Sequence, residues 1–433
     1  MKWNDNKRIF MFLILNLFTI FLFAHKRKIE AEWTIITYMQ VDNNLAPYAG
    51  YSINSMQQAG SIDQVNVLLQ LDQPANKKTW RYRMEKGRKI DVGSLNQEMG
   101  LNPEKELVAC MRWAKENYPA KHYMLILSSH GGGVDDDRSR SWFNVPEVPL
   151  QASDERGILY DDSQNTFLNN QGLARAMVGI KKVLGKKLDI LGMDACLMAM
   201  VEIAYQVKGS VDYLVASENI ESAKGWDYAG FMLPLVAQPI LFAPDVLAQS
   251  IVVAYSDFYG VSRSDDYDPK FTLSAIDINK IIVLTGSLDA VIKQIGVCEK
   301  TNKAAIARMI KYARQKVLEL YVPDYIDLDS FYVALQDRIR KIIMNQKISV
   351  IKDKNEQIKV VKDAAELKKL DALLVTARKV LDNAVLASLS GPTYKDVQGI
   401  SIYYPKSNIH PSYKKTTFAQ KTGWYTFLQN SKK

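Results

Sequence analysis

The chain is poor in the residues that build most small-site chemistries. It has three cysteines and four histidines in 433 residues. Cys110, Cys196 and Cys298 are too few and too odd in number for a disulfide framework, and an unpaired cysteine in an exported chain flags a reactive thiol. No Cys/His cluster has zinc spacing, and there is no Gly-x-x-x-x-Gly-Lys phosphate loop and no dinucleotide Gly-x-Gly-x-x-Gly. A cysteine phosphatase needs an arginine six residues after its cysteine, where this chain has Glu202 after Cys196. Glycine (22) and proline (14) are scarce, and no internal repeat or low-complexity tract occurs, which excludes fibrous and linker-like classes. The chain is 47% hydrophobic, enough for one large or two ordinary globular domains.

The charge is uneven. Formal net charge is +9, and residues 1–28 hold six basic side chains against one acid, or +5. The rest carries 9 − 5 = +4, so the basic balance belongs to the leader and does not point to nucleic acid. In that leader Lys7 and Arg8 precede an apolar run from Ile9 to Ala24. Sixteen residues suit a secretory signal and are short for a membrane span of about 20. The expectation is a signal peptide or signal anchor over 1–31, cleaved after Ala24 or Ala31. His25-Lys26-Arg27-Lys28 keep a retained anchor as the alternative. No cysteine follows the apolar run, which argues against a lipoprotein. Localisation is therefore secreted or cell envelope.

Apolar runs at 33–39, 65–71, 123–128, 188–193 and 213–217 read as buried strands, and Trp80 to Met84 as a short edge strand. Pro103 to Tyr118 and Gln171 to Leu184 read as helices, the second capped by Gly185. Strands alternating with helices predict an α/β fold with a mostly parallel sheet and covered faces. Val134 to Asn170 breaks the rhythm, with Asp135-Asp136-Asp137, Pro146 and Pro149 and no sustained apolar period. A loop this long in a compact domain is usually functional. Three adjacent acids could hold a cation, but are more often simply solvated. Beyond about Leu241 the texture changes. Phe271 to Asp277 and Ile400 to Tyr404 read as strands, and Glu299 to Tyr321 and Ala364 to Leu386 as long helices. The lysines of Lys347 to Lys369 read as a solvated helical face. The expected organisation is a core over 32–240, with 134–170 as a loop within it, and a smaller α/β or helical region over 241–433 packed on it.

Two strand ends carry the chemistry. His130 lies in Leu-Ser-Ser-His-Gly-Gly-Gly and Cys196 in Met-Asp-Ala-Cys-Leu-Met, each directly after a strand-like run. Carboxyl ends of neighbouring parallel strands converge on one crevice, so the two can meet although 196 − 130 = 66 residues separate them. That is what a thiolate nucleophile and its base require. A lone cysteine is usually a small core hydrophobe, the reading for Cys110 and Cys298. Cys196 differs, because an apolar helix is predicted to begin at it over Leu197 to Val207. A helix N-terminus and an imidazolium would both lower its pKa. Among the histidines, His25 is in the leader, His122 opens a strand and His410 sits in a polar loop. Gly131 would let substrate backbone approach and offer its N–H to an oxyanion. Taken alone, His130 also fits a turn histidine before flexible glycines.

With these residues the chain resembles the clostripain family of cysteine peptidases. The resemblance rests on residues 33–45, Ser-Ser-His-Gly-Gly-Gly133, Met-Asp-Ala-Cys-Leu-Met198, Ala216-Ser-Glu218, Gly225-Trp-Asp-Tyr228 and Gly399-Ile-Ser-Ile-Tyr-Tyr-Pro405, in order along nearly the whole mature chain. It implies a caspase-like α/β sandwich and cleavage after Arg or Lys. It also implies a precursor activated by cutting a loop between the histidine and the cysteine. Some members depend on calcium, though no family calcium motif can be placed here and the sequence itself requires no cofactor.

The resulting expectation is an exported cysteine endopeptidase with Cys196 as nucleophile and His130 as general base and acid. The N–H groups of Gly131 and Cys196 would form the oxyanion hole. Asp194 would pair with the substrate's Arg or Lys in the S1 pocket, with Asp227 as the weaker candidate; either acid could instead be a structural acceptor. Arg156, Arg140 and Arg138 are the candidates for self-cleavage. Partners would be proteins or peptides with Arg or Lys at the cleaved position, no nucleic acid, and a membrane only through a retained anchor. Two alternatives stand: a non-enzymatic envelope-anchored binding protein on the same fold, and a caspase-like peptidase with another preference at the cleaved position.

Overall fold

The computed structural model describes residues 30–74, 78–134, 157–262, 264–344 and 354–432. The leader up to residue 29 lies outside them, as do Asp135-Asp136-Asp137, Arg138, Arg140, Arg156 and residues 347–353.

A nine-stranded sheet forms the centre, in the order β12 (Val385–Ser390), β10 (Thr272–Asp277), β9 (Val211–Ala216), β8 (Leu188–Asp194), β5 (Ala120–Ser128), β1 (Ala31–Gln40), β2 (Val65–Asp72), β3 (Thr79–Glu85) and β4 (Arg88–Leu95), while β11 (Tyr325–Asp327) and β13 (Ser401–Tyr403) form a separate pair. Its middle is β1 (Ala31–Gln40), β2 (Val65–Asp72), β5 (Ala120–Ser128), β8 (Leu188–Asp194) and β9 (Val211–Ala216), all mutually parallel. These strands read as unbroken apolar runs because both faces are covered. Alternation along β5 sends Leu125 and Leu127 into one hydrophobic layer and Met124 and Ile126 into the other. Truncating one of these fully buried side chains, as in Leu125→Ala, costs about 2–5 kcal/mol.

Helices α1 (Ala49–Ala59), α5 (Tyr228–Ala237) and α6 (Pro244–Tyr259) close one layer through residues such as Met56, Phe231 and Ile251. The other holds α2 (Pro103–Asn117), α3 (Asn170–Leu184), α4 (Val201–Val207), α7 (Ile281–Lys316), α8 (Leu328–Met344) and α9 (Lys354–Ala384). The N-terminal caps of α2 and α3 are Asn102 and Asn169, whose side chains accept from the N–H of Lys105 and Gly172. Gly185 ends α3 in the left-handed region, as its position predicts.

Four features add to the sequence reading. The sheet is parallel only at its centre; β3 (Thr79–Glu85) with β4 (Arg88–Leu95), and β10 (Thr272–Asp277) with β12 (Val385–Ser390), run antiparallel at the two edges. β4 has a largely exposed pattern, so no apolar run announced it. β10 and β12 belong to the same sheet as the core, so a division near residue 240 does not divide the sheet. The stretch read as one loop over 134–170 contains a hairpin, β6 (Gly157–Asp161) and β7 (Thr166–Asn169). Only its short, turn-rich strands kept it from showing period 2.

Candidate active site

The register of the parallel centre brings the two motifs together. Ser128 at the end of β5 pairs with Asp194 at the end of β8. The Ser129 N–H donates to the Asp194 carbonyl (3.3 Å), which ties the two strand ends one residue further on. His130 and Cys196 therefore emerge side by side and line the same cavity, of about 290 Å³. Both are nearly buried, at 7% and 8% exposure. Each sits at the mouth of the hydrophobic core with one edge on the cavity.

Cys196 stands on a tight bend. Leu197 after it has φ = 66°, a left-handed conformation that a leucine rarely takes and that costs about 1–3 kcal/mol. Hydrogen bonds from Leu197 N–H to the Asn219 carbonyl (2.9 Å) and from Ala199 N–H to the Ser217 carbonyl (2.8 Å) hold it. Here the sequence reading is corrected. The helix does not begin at Cys196; α4 starts at Val201, with Met200 as its cap. The thiol consequently gains nothing from a helix N-terminus. Burial pushes it up to about 12; the Glu221 N–H, donating to Sγ (3.2 Å), opposes this, and the Glu221 and Asp194 carboxyls reinforce it. Burial also pushes His130 down to about 4. At neutral pH the resting site thus holds a neutral thiol and a neutral imidazole, not a preformed ion pair.

Gly131 packs directly against the backbone of Cys196. A Cβ there would lie 2.4 Å from the Cys196 carbonyl oxygen, so only glycine lets the two strand ends close. Gly131 also forms an isolated antiparallel bridge to Ile158 of the β6–β7 hairpin.

Asp194 is buried at the floor of the cavity. It accepts from the Tyr228 hydroxyl (2.8 Å) and the Ser128 hydroxyl (3.3 Å). Glu221, which the sequence reading did not single out, lines the same cavity. Its carboxyl is in hydrogen-bonding contact with Asp194 and accepts from Trp226 Nε1 (3.1 Å). Burial raises both acids, Glu221 well above its usual range with the Asp194 charge adding to the effect. Contact between the two carboxyls adds to burial in favouring the neutral form, most strongly at Glu221. Gly225 forms the adjoining wall with φ = 74°, and a Cβ there would crowd Asp194 Oδ2 at 2.8 Å. Asp227, the second S1 candidate, does not line this cavity. It precedes α5 and accepts from the Ser55 hydroxyl (3.3 Å).

One more side chain reaches the histidine. Asn44, from the turn after β1, places Oδ1 2.5 Å from His130 Nε2. The sequence reading gave Asn44 no role of its own, within the 33–45 stretch that carries the resemblance; the signal available was an Asx-rich run directly after a parallel strand. Among the described residues, no group of three or more His, Cys, Asp or Glu side chains is placed to hold a metal ion.

Known proteins share this architecture. A secreted C11 cysteine protease of Bacteroides thetaiotaomicron, solved with an irreversible peptide inhibitor, superposes with a TM-score of 0.59 at 17% identity, over 92% of this chain and 99% of its own. An inactive zymogen C11 protease of Parabacteroides distasonis gives 0.59 at 16% identity, over 92% and 98%. At such identities the likeness shows the fold. In sequence, clostripain of Hathewaya histolytica is 35% identical over 123 residues, which is 27% of this chain and 21% of that protein, so the match spans about a fifth of the relative's length. The profile of the clostripain family, Peptidase C11, matches residues 37–433, and the chain belongs to that family.

Proposed function

We propose that the protein is an exported cysteine endopeptidase that cleaves after Arg or Lys with Cys196 as nucleophile and His130 as general base and acid. The observation that carries this reading is the convergence of a thiol and an imidazole, from two adjacent parallel strand ends, on one cavity floored by a buried carboxylate. Family membership and the likeness to C11 cysteine proteases support the peptidase class.

The neutral resting pair sets the mechanism. A thiol held near 12 is a poor nucleophile until its proton leaves. His130, neutral down to about pH 4, accepts that proton as Sγ attacks the scissile carbonyl. The imidazolium then returns the proton to the departing amine, leaving an acyl-enzyme that water hydrolyses with His130 again as base. The N–H groups of Gly131 and Cys196 are the oxyanion donors in this reading. Asp194 supplies the charge that selects Arg or Lys. The upward push on Glu221, stronger than that on Asp194, favours Asp194 as the charged member that meets the basic side chain.

Export rests on the leader composition and on solved relatives described as secreted. A zymogen among those relatives supports activation by cleavage, and here Arg156-Gly157, at the start of β6, is the first choice of bond, with Arg140-Ser141 the second.

A fluorogenic panel with Arg, Lys, Asp or Asn at the cleaved position, with and without a thiol alkylator, tests the proposal. Alkylator-sensitive turnover of the Arg and Lys substrates is expected. Turnover of Asp or Asn substrates instead would overturn the specificity, and no turnover of any substrate would favour a binding protein.

A further inference from the structure

The histidine's tautomer is set by a residue outside both sequence motifs. We propose that Asn44 is the positioning residue of His130: its side-chain carbonyl accepts the Nε2 hydrogen and thereby makes Nδ1 the proton-accepting nitrogen. The inference rests on the Cys196–His130 reading above.

The contact is short and its chemistry has one polarity. Asn44 Oδ1 lies 2.5 Å from His130 Nε2, and an amide oxygen can only accept. Nε2 must then carry the hydrogen. Burial keeps the ring neutral, and a neutral ring has one N–H, so its lone pair sits on Nδ1. A neutral imidazole in the other tautomer would require the amide turned over, with Asn44 Nδ2–H donating to Nε2 instead.

The turn that carries Asn44 is built to hold still. The Asn43 side chain donates to the Tyr160 carbonyl (2.8 Å) and the Gln40 carbonyl (3.3 Å) and accepts from the Leu45 N–H (2.9 Å). The Val41 N–H donates to the Asp72 carbonyl (3.1 Å), the Asp162 N–H to the Asp42 carbonyl (2.7 Å), and the Ala46 N–H to the Asn43 carbonyl (3.1 Å). The turn is thus clamped between β2 and the β6–β7 hairpin. Asn44 itself is exposed on the cavity wall, so its replacement leaves the core intact. An exposed side chain held by a locked backbone serves the group it touches rather than the fold.

The test compares Asn44→Ala, Asn44→Asp and His130→Ala in the full chain on one Arg peptide. Loss of the orienting contact is expected to lower kcat about 10- to 100-fold with KM little changed. That is part of the about 10²- to 10⁴-fold that a positioned acid–base group supplies. Asn44→Asp keeps the acceptor and should recover most of the rate. Its added carboxylate favours imidazolium, so the acid limb of the kcat/KM profile should move to higher pH. Imidazole 15N spectra in a Cys196→Ala background should show His130 protonated on Nε2, and a tautomer mixture once Asn44 is alanine. Unchanged kcat and tautomer in Asn44→Ala, or a rise in KM alone, would overturn the proposal and make Asn44 a bystander or a substrate contact. Full activity in His130→Ala would instead remove the Cys–His reading on which it stands.

Discussion

Cys110 and Cys196 are alike by the measures usually applied to a thiol. Both are buried and free, and burial pushes both up to about 12. Their neighbourhoods differ. Cys110 lies fully buried on α2, close to Arg81, Glu106 and Tyr38, and touches no cavity among those described. Cys196 occupies a bend at the end of a parallel strand, beside a neutral histidine, over a pocket floored by two acids. Acidity of the resting thiol therefore does not separate the proposed nucleophile from a packing residue here. What separates them is a base within the same cavity and room for a substrate.

The sharpest way to break that comparison is to delete each thiol. Cys196→Ala should abolish peptide turnover and any cutting of the 134–170 loop, seen as new termini by intact mass. Cys110→Ala and Cys298→Ala should keep both activities, with Cys110→Ala losing about 0.5–3 kcal/mol of stability to a cavity. Near wild-type turnover in Cys196→Ala would place the nucleophile elsewhere.

A smaller effect probes what the pocket adds. Asp194→Asn should weaken kcat/KM for Arg and Lys substrates by about 2–5 kcal/mol of transition-state binding, and norleucine substrates much less. An unchanged preference would move the basic-residue contact off Asp194, with Glu221 the other acid on the cavity.

Glu202 is to the carboxyls what Cys110 is to the thiols: buried and perturbed, away from the cavity. It accepts from the Tyr403 N–H (3.0 Å) and the Tyr413 hydroxyl (2.8 Å), and burial raises it to about 7. A folded-state value above the unfolded one adds stability that is full below about pH 4.5 and is lost as pH rises through 7. Relative to Glu202→Gln, the wild type should lose on the order of 3 kcal/mol between those limits, at 1.36 kcal/mol per unit. Melting curves across that range, parallel for the two proteins, would rule this out.

The least disruptive test uses pH alone. With His130 held near 4, kcat/KM should stay level from neutrality down to about pH 5 and fall only as the imidazole protonates. An acid limb near 6.5 would mean that the histidine is far better solvated in the free enzyme than its burial indicates.

Most of the sheet was legible because its strands are covered on both faces, and a doubly covered strand must be apolar throughout. β4, exposed along most of its length, and the β6–β7 hairpin, only five and four residues long, had no such constraint and were invisible. The start of α4 was misplaced by four residues because Leu197 to Met200 are as apolar as a helix interior. Their backbone instead pairs with Ser217, Asn219 and Ser401. Asp194 stood out beside Cys196, whereas Glu221 and Asn44 did not, since each reaches the site from a turn whose path no local pattern records.

The sequence by itself determined the alternation of strands and helices, the two strand-end motifs and hence the two proposed reacting groups, because burial and strand termination act locally. Tertiary structure alone decided the state of those groups. Packing removed water from Cys196 and His130 and left both neutral. It brought Glu221 onto Asp194 so that each acid is pushed toward its neutral form, and it carried Asn44 to the imidazole. Each of these is an interaction between segments tens of residues apart, through a dielectric that exists only once the chain has folded.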